Sequence, residues 1–179
     1  MVLVLSPAPD IQRDGKARSR PAGSLKGKRV GLRLDKFWLS WDQVADEWES
    51  MLKADGASVV VWRAPIGKGD KEMVEGGEEY EKFIESIDVA IIGLCNCGSC
   101  SMWAVHDAVG AIESDLPTVV VATTAFEGLV RVLIEQRGHA DPRLTVLPYP
   151  LEGQPEAEVR DIARTYYEPM LEALGAVRA

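Results

Sequence analysis

Every thiol of the chain lies in the stretch LCNCGSCSMW (94–103), which carries Cys95, Cys97 and Cys100. Thiols at this spacing suit three chemistries: a redox pair, a soft-ligand set for zinc, copper or an iron–sulfur cluster, or a nucleophile assisted by a base. Cys97 and Cys100 form a C-x-x-C, and Gly98 between them allows a tight turn and close approach of a substrate. His106 and Asp107 follow on the same segment and offer a base with an orienting acid. As a fourth metal ligand His106 is badly placed. Six helical residues beyond Cys100 is roughly 9 Å along the axis, whereas ligands must converge within about 2.3 Å of one ion. No cofactor is therefore expected; a bound metal would be held by Cys95, Cys97 and Cys100. His139, in QRGHADPR, reads as an exposed loop residue.

The elements that position these residues follow a βα rhythm. Strands are expected over 28–34, 58–64, 88–94, 118–123 and 144–149, with nearly continuous apolar runs, as in parallel strands covered on both faces. Helices are expected over 40–56, 71–87, 99–114 and 155–175, the last kinked at Pro169. This pattern predicts a single three-layer, doubly wound α/β domain over 28–179, with a mainly parallel five-stranded sheet of flavodoxin-like or Rossmann-like order. Residues 1–27, rich in Pro, Gly, Arg and Lys, read as an N-terminal arm.

Ligands of such sheets bind outside the carboxyl ends of the strands, and the cysteines fall in one of those loops. Ser99 or Ser101 is expected to cap the following helix, so Cys97 and Cys100 stand at a helix N-terminus, where thiol pKa values fall. Cys97 is then the expected nucleophile and Cys100 the resolving thiol. Thr123 and Thr124, at the end of the fourth strand, could bind an anionic group or serve only as caps. Phe37, Trp38 and Trp41 could wall a pocket or lie buried. GKGDK (67–71) lacks the spacing of a phosphate loop.

Composition narrows the setting. The 179 residues are 46% hydrophobic, and the net charge of -8 argues against nucleic acid or an anionic membrane as partner. No run approaches the roughly 20 apolar residues of a membrane span, and MVLVL is too short for a secretory signal. Three closely spaced cysteines fit a reducing, cytoplasmic setting better than a disulfide scaffold.

CGSC (97–100), WAVHDAVGAIE (103–113), LPTVVVATTAF (116–126), PYPLEG (148–153) and GKRVGL (27–32) together resemble the UGSC family, named for a selenocysteine–Gly–Ser–Cys motif in which cysteine often replaces selenocysteine. That family is related to the selenoprotein B subunits of the glycine, sarcosine and betaine reductases. The resemblance implies a thiol-based oxidoreductase acting on a small molecule, with Cys97 at the selenocysteine position and Cys100 its partner. It also implies a homo-oligomer or a reductase-like partner subunit. Ser99, Trp103, Asp107, Thr123 and Thr124 are the expected substrate contacts, with His106 beside the catalytic thiols. Cys95 departs from the pattern and suggests a three-thiol relay or a metal. The alternatives are a lyase or hydrolase using Cys97 and His106, or a metal- or ligand-binding subunit of a larger complex.

Overall fold

The computed structural model describes residues 18–65, 70–139 and 141–177, so most of GKGDK falls outside it. In chain order the elements are β1 (Gly23–Ser24), β2 (Arg29–Leu34), α1 (Leu39–Ala54), β3 (Ser58–Arg63), α2 (Asp70–Glu85) and β4 (Val89–Cys95). There follow α3 (Gly98–Glu113), β5 (Thr118–Thr123), α4 (Glu127–Glu135), β6 (Leu144–Leu147), α5 (Glu156–Leu174) and β7 (Ala176–Val177). The five long strands are those expected from their Val, Ile and Leu runs. They form one parallel sheet in the order β3-β2-β4-β5-β6, the flavodoxin-like arrangement. The chain passes from β2 outward to β3 and then returns to the other side of β2 for β4. This reversal leaves a crevice beyond the carboxyl ends of β2 and β4.

Strand alternation divides the core in two. Val30, Leu32 and Leu34 of β2, with Val89 and Ile91 of β4 and Val119 and Val121 of β5, pack beneath α1 and α5. Ala90 and Ile92 of β4, with Val120 and Ala122 of β5, face the opposite layer with Ala104 and Val105 of α3 and Val130 of α4. Helix α1 buries Val44, Trp48 and Leu52 at i, i+4, i+8, and Trp41 meets Trp48 edge to face at 5.7 Å. Helix α5 continues through Pro169 to Leu174 and ends on Gly175 at φ 68°.

Residues 18–27, the described part of the segment read as an arm, are docked on the domain. Ala22 and Leu25 are buried in the α1/α5 layer. Gly23 and Ser24 pair in parallel with Ala176 and Val177, and Arg143 donates to the Ser19 and Ala173 carbonyls. Two apolar side chains among many polar ones suffice to dock the segment, because a small sheet of its own satisfies its backbone. His139, expected on an exposed loop, is also buried, with Nε2 3.9 Å from Glu113. If residues 18–27 are part of the core, Leu25→Ala lowers stability by about 2–5 kcal/mol in urea denaturation. An unchanged midpoint would restore the arm.

Candidate active site

Strand β4 decides what the three thiols can do. Its pairing with β5 shifts register between Ile92 and Cys95. Strict alternation would turn Cys95 to the face of Ile91; instead its side chain joins Ile92 in the layer of α3 and α4. Cys95 is fully buried, and burial pushes its thiol up to about 12, against the smaller opposing pull of Arg33 and Ser101. It is a neutral core thiol, which corrects the expectation of a third thiol in a relay. Among the described residues no group of three or more His, Cys, Asp or Glu side chains is placed to hold a metal ion.

Cys97 and Cys100 are joined as a disulfide, their Cα atoms 5.3 Å apart. Cys97 itself is the N-cap of α3, in extended conformation, and its Sγ accepts the Cys100 N–H at 3.1 Å. The expected cap was Ser99 or Ser101. Ser101 is instead buried, its hydroxyl donating to the Cys97 carbonyl at 2.7 Å, and Ser99 Oγ lies 3.5 Å from Cys97 Sγ. The Cys97 sulfur is thus the atom at the positive end of the helix.

Cys97 is half-buried and stands outside the lining of the neighbouring cleft; its disulfide partner Cys100 lines that cleft, of about 230 Å³, together with Ser99, Trp103, His106 and Asp107 from α3. The opposite wall comes from residues the sequence did not single out: Arg33 and Asp35 from β2 and its loop, Trp62 from β3, and Tyr80 from α2. Phe37 also lines the cleft, as expected of that loop, but Trp41 is buried with Trp48 in the other layer. The cleft therefore lies on the α2/α3 side of the strand reversal.

Its floor is a buried charge cluster. Arg33, 3% exposed, donates Nε to Asp107 Oδ2 at 2.8 Å and Nη1 to the Gly93 carbonyl at 3.0 Å, and Nη1 stands 3.7 Å from Asp35 Oδ2. The Tyr80 hydroxyl donates to the backbone carbonyl of Asp107. Asp35 accepts the Phe37 N–H on Oδ1, while its buried Oδ2 has no hydrogen-bond partner. Burial pushes the Asp35 carboxyl above its ordinary range, against the pull of the Phe37 amide and of Arg33. His106 is largely exposed, with Nδ1 3.5 Å from Asp107 Oδ1; that hydrogen bond raises its pKa more than burial lowers it. Asp107 is therefore an anchor of Arg33 first, and its carboxylate is already occupied.

Thr123 and Thr124 are not among the cleft residues. Thr123 is fully buried with its hydroxyl donating to Asn96 Oδ1 at 2.9 Å, and Thr124 is exposed, its N–H bonded to the Leu147 carbonyl. They end β5, one strand further from the reversal than the cleft. A signal for the missed floor was present: an arginine inside RVGLRL, a strand read as covered on both faces, requires a buried partner.

Fold and site together define a flavodoxin-like α/β protein with a C-x-x-C disulfide at the start of the helix beside the crevice of the strand reversal. The chain belongs to the UGSC family, whose model matches residues 3–176. No curated protein matches it. Among solved structures it is similar to a diflavin flavoprotein A3 from Nostoc sp., at 9% identity and a TM-score of 0.45, covering 82% of this chain and 96% of that one. Among the described residues no helix is long and apolar enough to cross a membrane.

Two predictions test the floor. Arg33→Met leaves the Asp107 carboxylate buried without its cation and costs about 3–5 kcal/mol in urea denaturation; adding Asp107→Asn recovers part of that loss. For Asp35, the folded carboxyl titrates above its ordinary value of 3.8. Between the two pKa values the folded state keeps a proton that the unfolded state has released, so stability falls as pH rises through that window. The denaturation midpoint of the wild type should therefore decline relative to Asp35→Asn from about pH 4 upward. Parallel pH profiles would count against the assignment.

Proposed function

We propose that the protein is a thiol–disulfide oxidoreductase in which Cys97 and Cys100 exchange two electrons with a small-molecule disulfide bound in the cleft. The observation that carries this reading is the Cys97–Cys100 disulfide with the Cys97 sulfur at the N-cap of α3. A helix N-terminus and a donated N–H favour a thiolate over a thiol, which makes Cys97 the better nucleophile and leaving group of the pair. Cys100, 7% exposed, is shielded from solvent and fits the resolving role.

In the reduced protein the Cys97 thiolate attacks one sulfur of the substrate disulfide. The substrate S–S bond breaks, one thiolate leaves and takes a proton from solvent, and a mixed disulfide forms. Cys100 then gives up its proton and attacks Cys97 Sγ, releasing the second substrate thiolate and restoring the Cys97–Cys100 bond. An external dithiol returns the two electrons. The Cys100 proton goes to the departing substrate thiolate, and His106, held toward Asp107, lines the same cleft and orients the substrate. Ser99, beside the Cys97 sulfur, is a positioning residue, and Trp103 contributes a wall. A homo-oligomer or a partner subunit delivering the dithiol would fit this cycle, as would a cytoplasmic setting.

Mass spectrometry with and without mild reductant, on the wild type and on Cys100→Ser, provides the test. The wild type should gain two hydrogens, mapped to Cys97 and Cys100. Cys100→Ser should lose turnover and retain one substrate thiol on Cys97. Activity that survives Cys100→Ser and disappears in His106→Ala would replace this reading with a non-redox lyase or hydrolase.

A further inference from the structure

The walls of the cleft differ in character from its floor. Four aromatic rings reach it from four separate elements: Phe37 from the loop after β2, Trp62 from β3, Tyr80 from α2 and Trp103 from α3. Trp62 and Tyr80 are already packed together, ring centroids 4.9 Å apart, and Phe83 backs them. Phe37 and Trp103 remain 56% and 51% exposed, Trp103 meeting the His106 ring edge to face at 6.3 Å. Beside them Gly77 of α2 extends the wall without a side chain, and a Cβ built there would meet nothing within 4 Å.

Among the described residues the floor, by contrast, offers no surplus positive charge. The cations among the described lining residues are Arg33 and His106, and both face Asp107, with Asp35 a further acid beside Arg33. An anionic ligand would meet two carboxyl groups and a guanidinium already engaged by protein acceptors, and burying its charge there would go uncompensated. At about 230 Å³ the cleft is below the roughly 300 Å³ at which pockets for drug-sized ligands begin. One or two rings fill it.

We propose that this cleft selects an uncharged substrate through a flat aromatic or conjugated group that the substrate disulfide carries, bound between the rings of Phe37, Trp62, Tyr80 and Trp103. The inference names the substrate class for the dithiol reading above and rests on it for its chemistry, although not for its binding. Aliphatic anionic disulfides, peptide disulfides with free carboxylates among them, are poor occupants.

The test uses the full chain carrying Cys97→Ser and Cys100→Ser, so that no exchange chemistry contributes, and measures binding by calorimetry. The ligands are 2-naphthol and 2-naphthoate, which share a ring system and differ by one negative charge. Saturable binding of 2-naphthol is expected, with 2-naphthoate weaker by about tenfold or more. Trp103→Ala, a change at an exposed position, should weaken 2-naphthol by about tenfold while leaving the thermal melt unchanged. No saturable 2-naphthol binding, equal or tighter binding of 2-naphthoate, or an indifferent Trp103→Ala would each overturn the proposal. These results leave the dithiol reading standing. Conversely, failed two-electron exchange in the wild type with intact 2-naphthol binding would remove that reading alone.

Discussion

The buried ion pair between Arg33 and Asp107 is the contact on which the site's geometry depends. It ties β2 to the middle of α3, and the same guanidinium holds the Gly93 carbonyl of β4. Three elements that meet at the strand reversal are thereby fixed by one side chain. Burying a guanidinium is favourable only when acceptors surround it, and Arg33 has Asp107, Gly93 and the nearby Asp35. The consequence reaches the thiols, because the helix that Arg33 anchors is the one whose N-terminus Cys97 caps.

Two of the three thiols are made available and one is removed by the path of a single strand. The register shift in β4 sends Cys95 into the apolar layer, where its thiol stays neutral, while Cys97 emerges at the helix start. Cys97 then serves twice, as cap for the Cys100 N–H and as half of the disulfide. Capping is normally the work of an oxygen. A sulfur in that position couples the electrostatics of the helix end directly to the atom proposed to react.

Much of this was legible in the chain. The five β-branched runs mark five strands, their unbroken apolar character marks a parallel sheet, and C-x-x-C after one of them marks the loop of interest. Those features are local, and periodicity reports local structure well. The docking of residues 18–27 was not legible, because two apolar residues in a polar segment resemble a solvated arm until their partners on α1 and α5 are known. Nor was the capping role of Cys97, since Ser99 and Ser101 are the stronger cap formers by residue type. Thr123 and Thr124 sit at a strand end, as the sequence indicated, but of a strand that does not border the cleft.

The sequence by itself determined the five long strands and the helices α1, α2, α3 and α5 in their order, the parallel sheet, the family and the position of the thiol pair at the start of a helix. Each follows from residue types at short spacing. Only the tertiary structure decided which strand ends face each other across the reversal, and so brought Arg33, Asp35, Trp62 and Tyr80 to the same cleft as Cys100, Trp103 and His106. It also decided that Cys95 points inward, because one irregular step in a strand reverses every later side chain, a matter of backbone pairing with a neighbour. Contacts between residues distant in the chain depend on strand order and register, which no short window of residues contains.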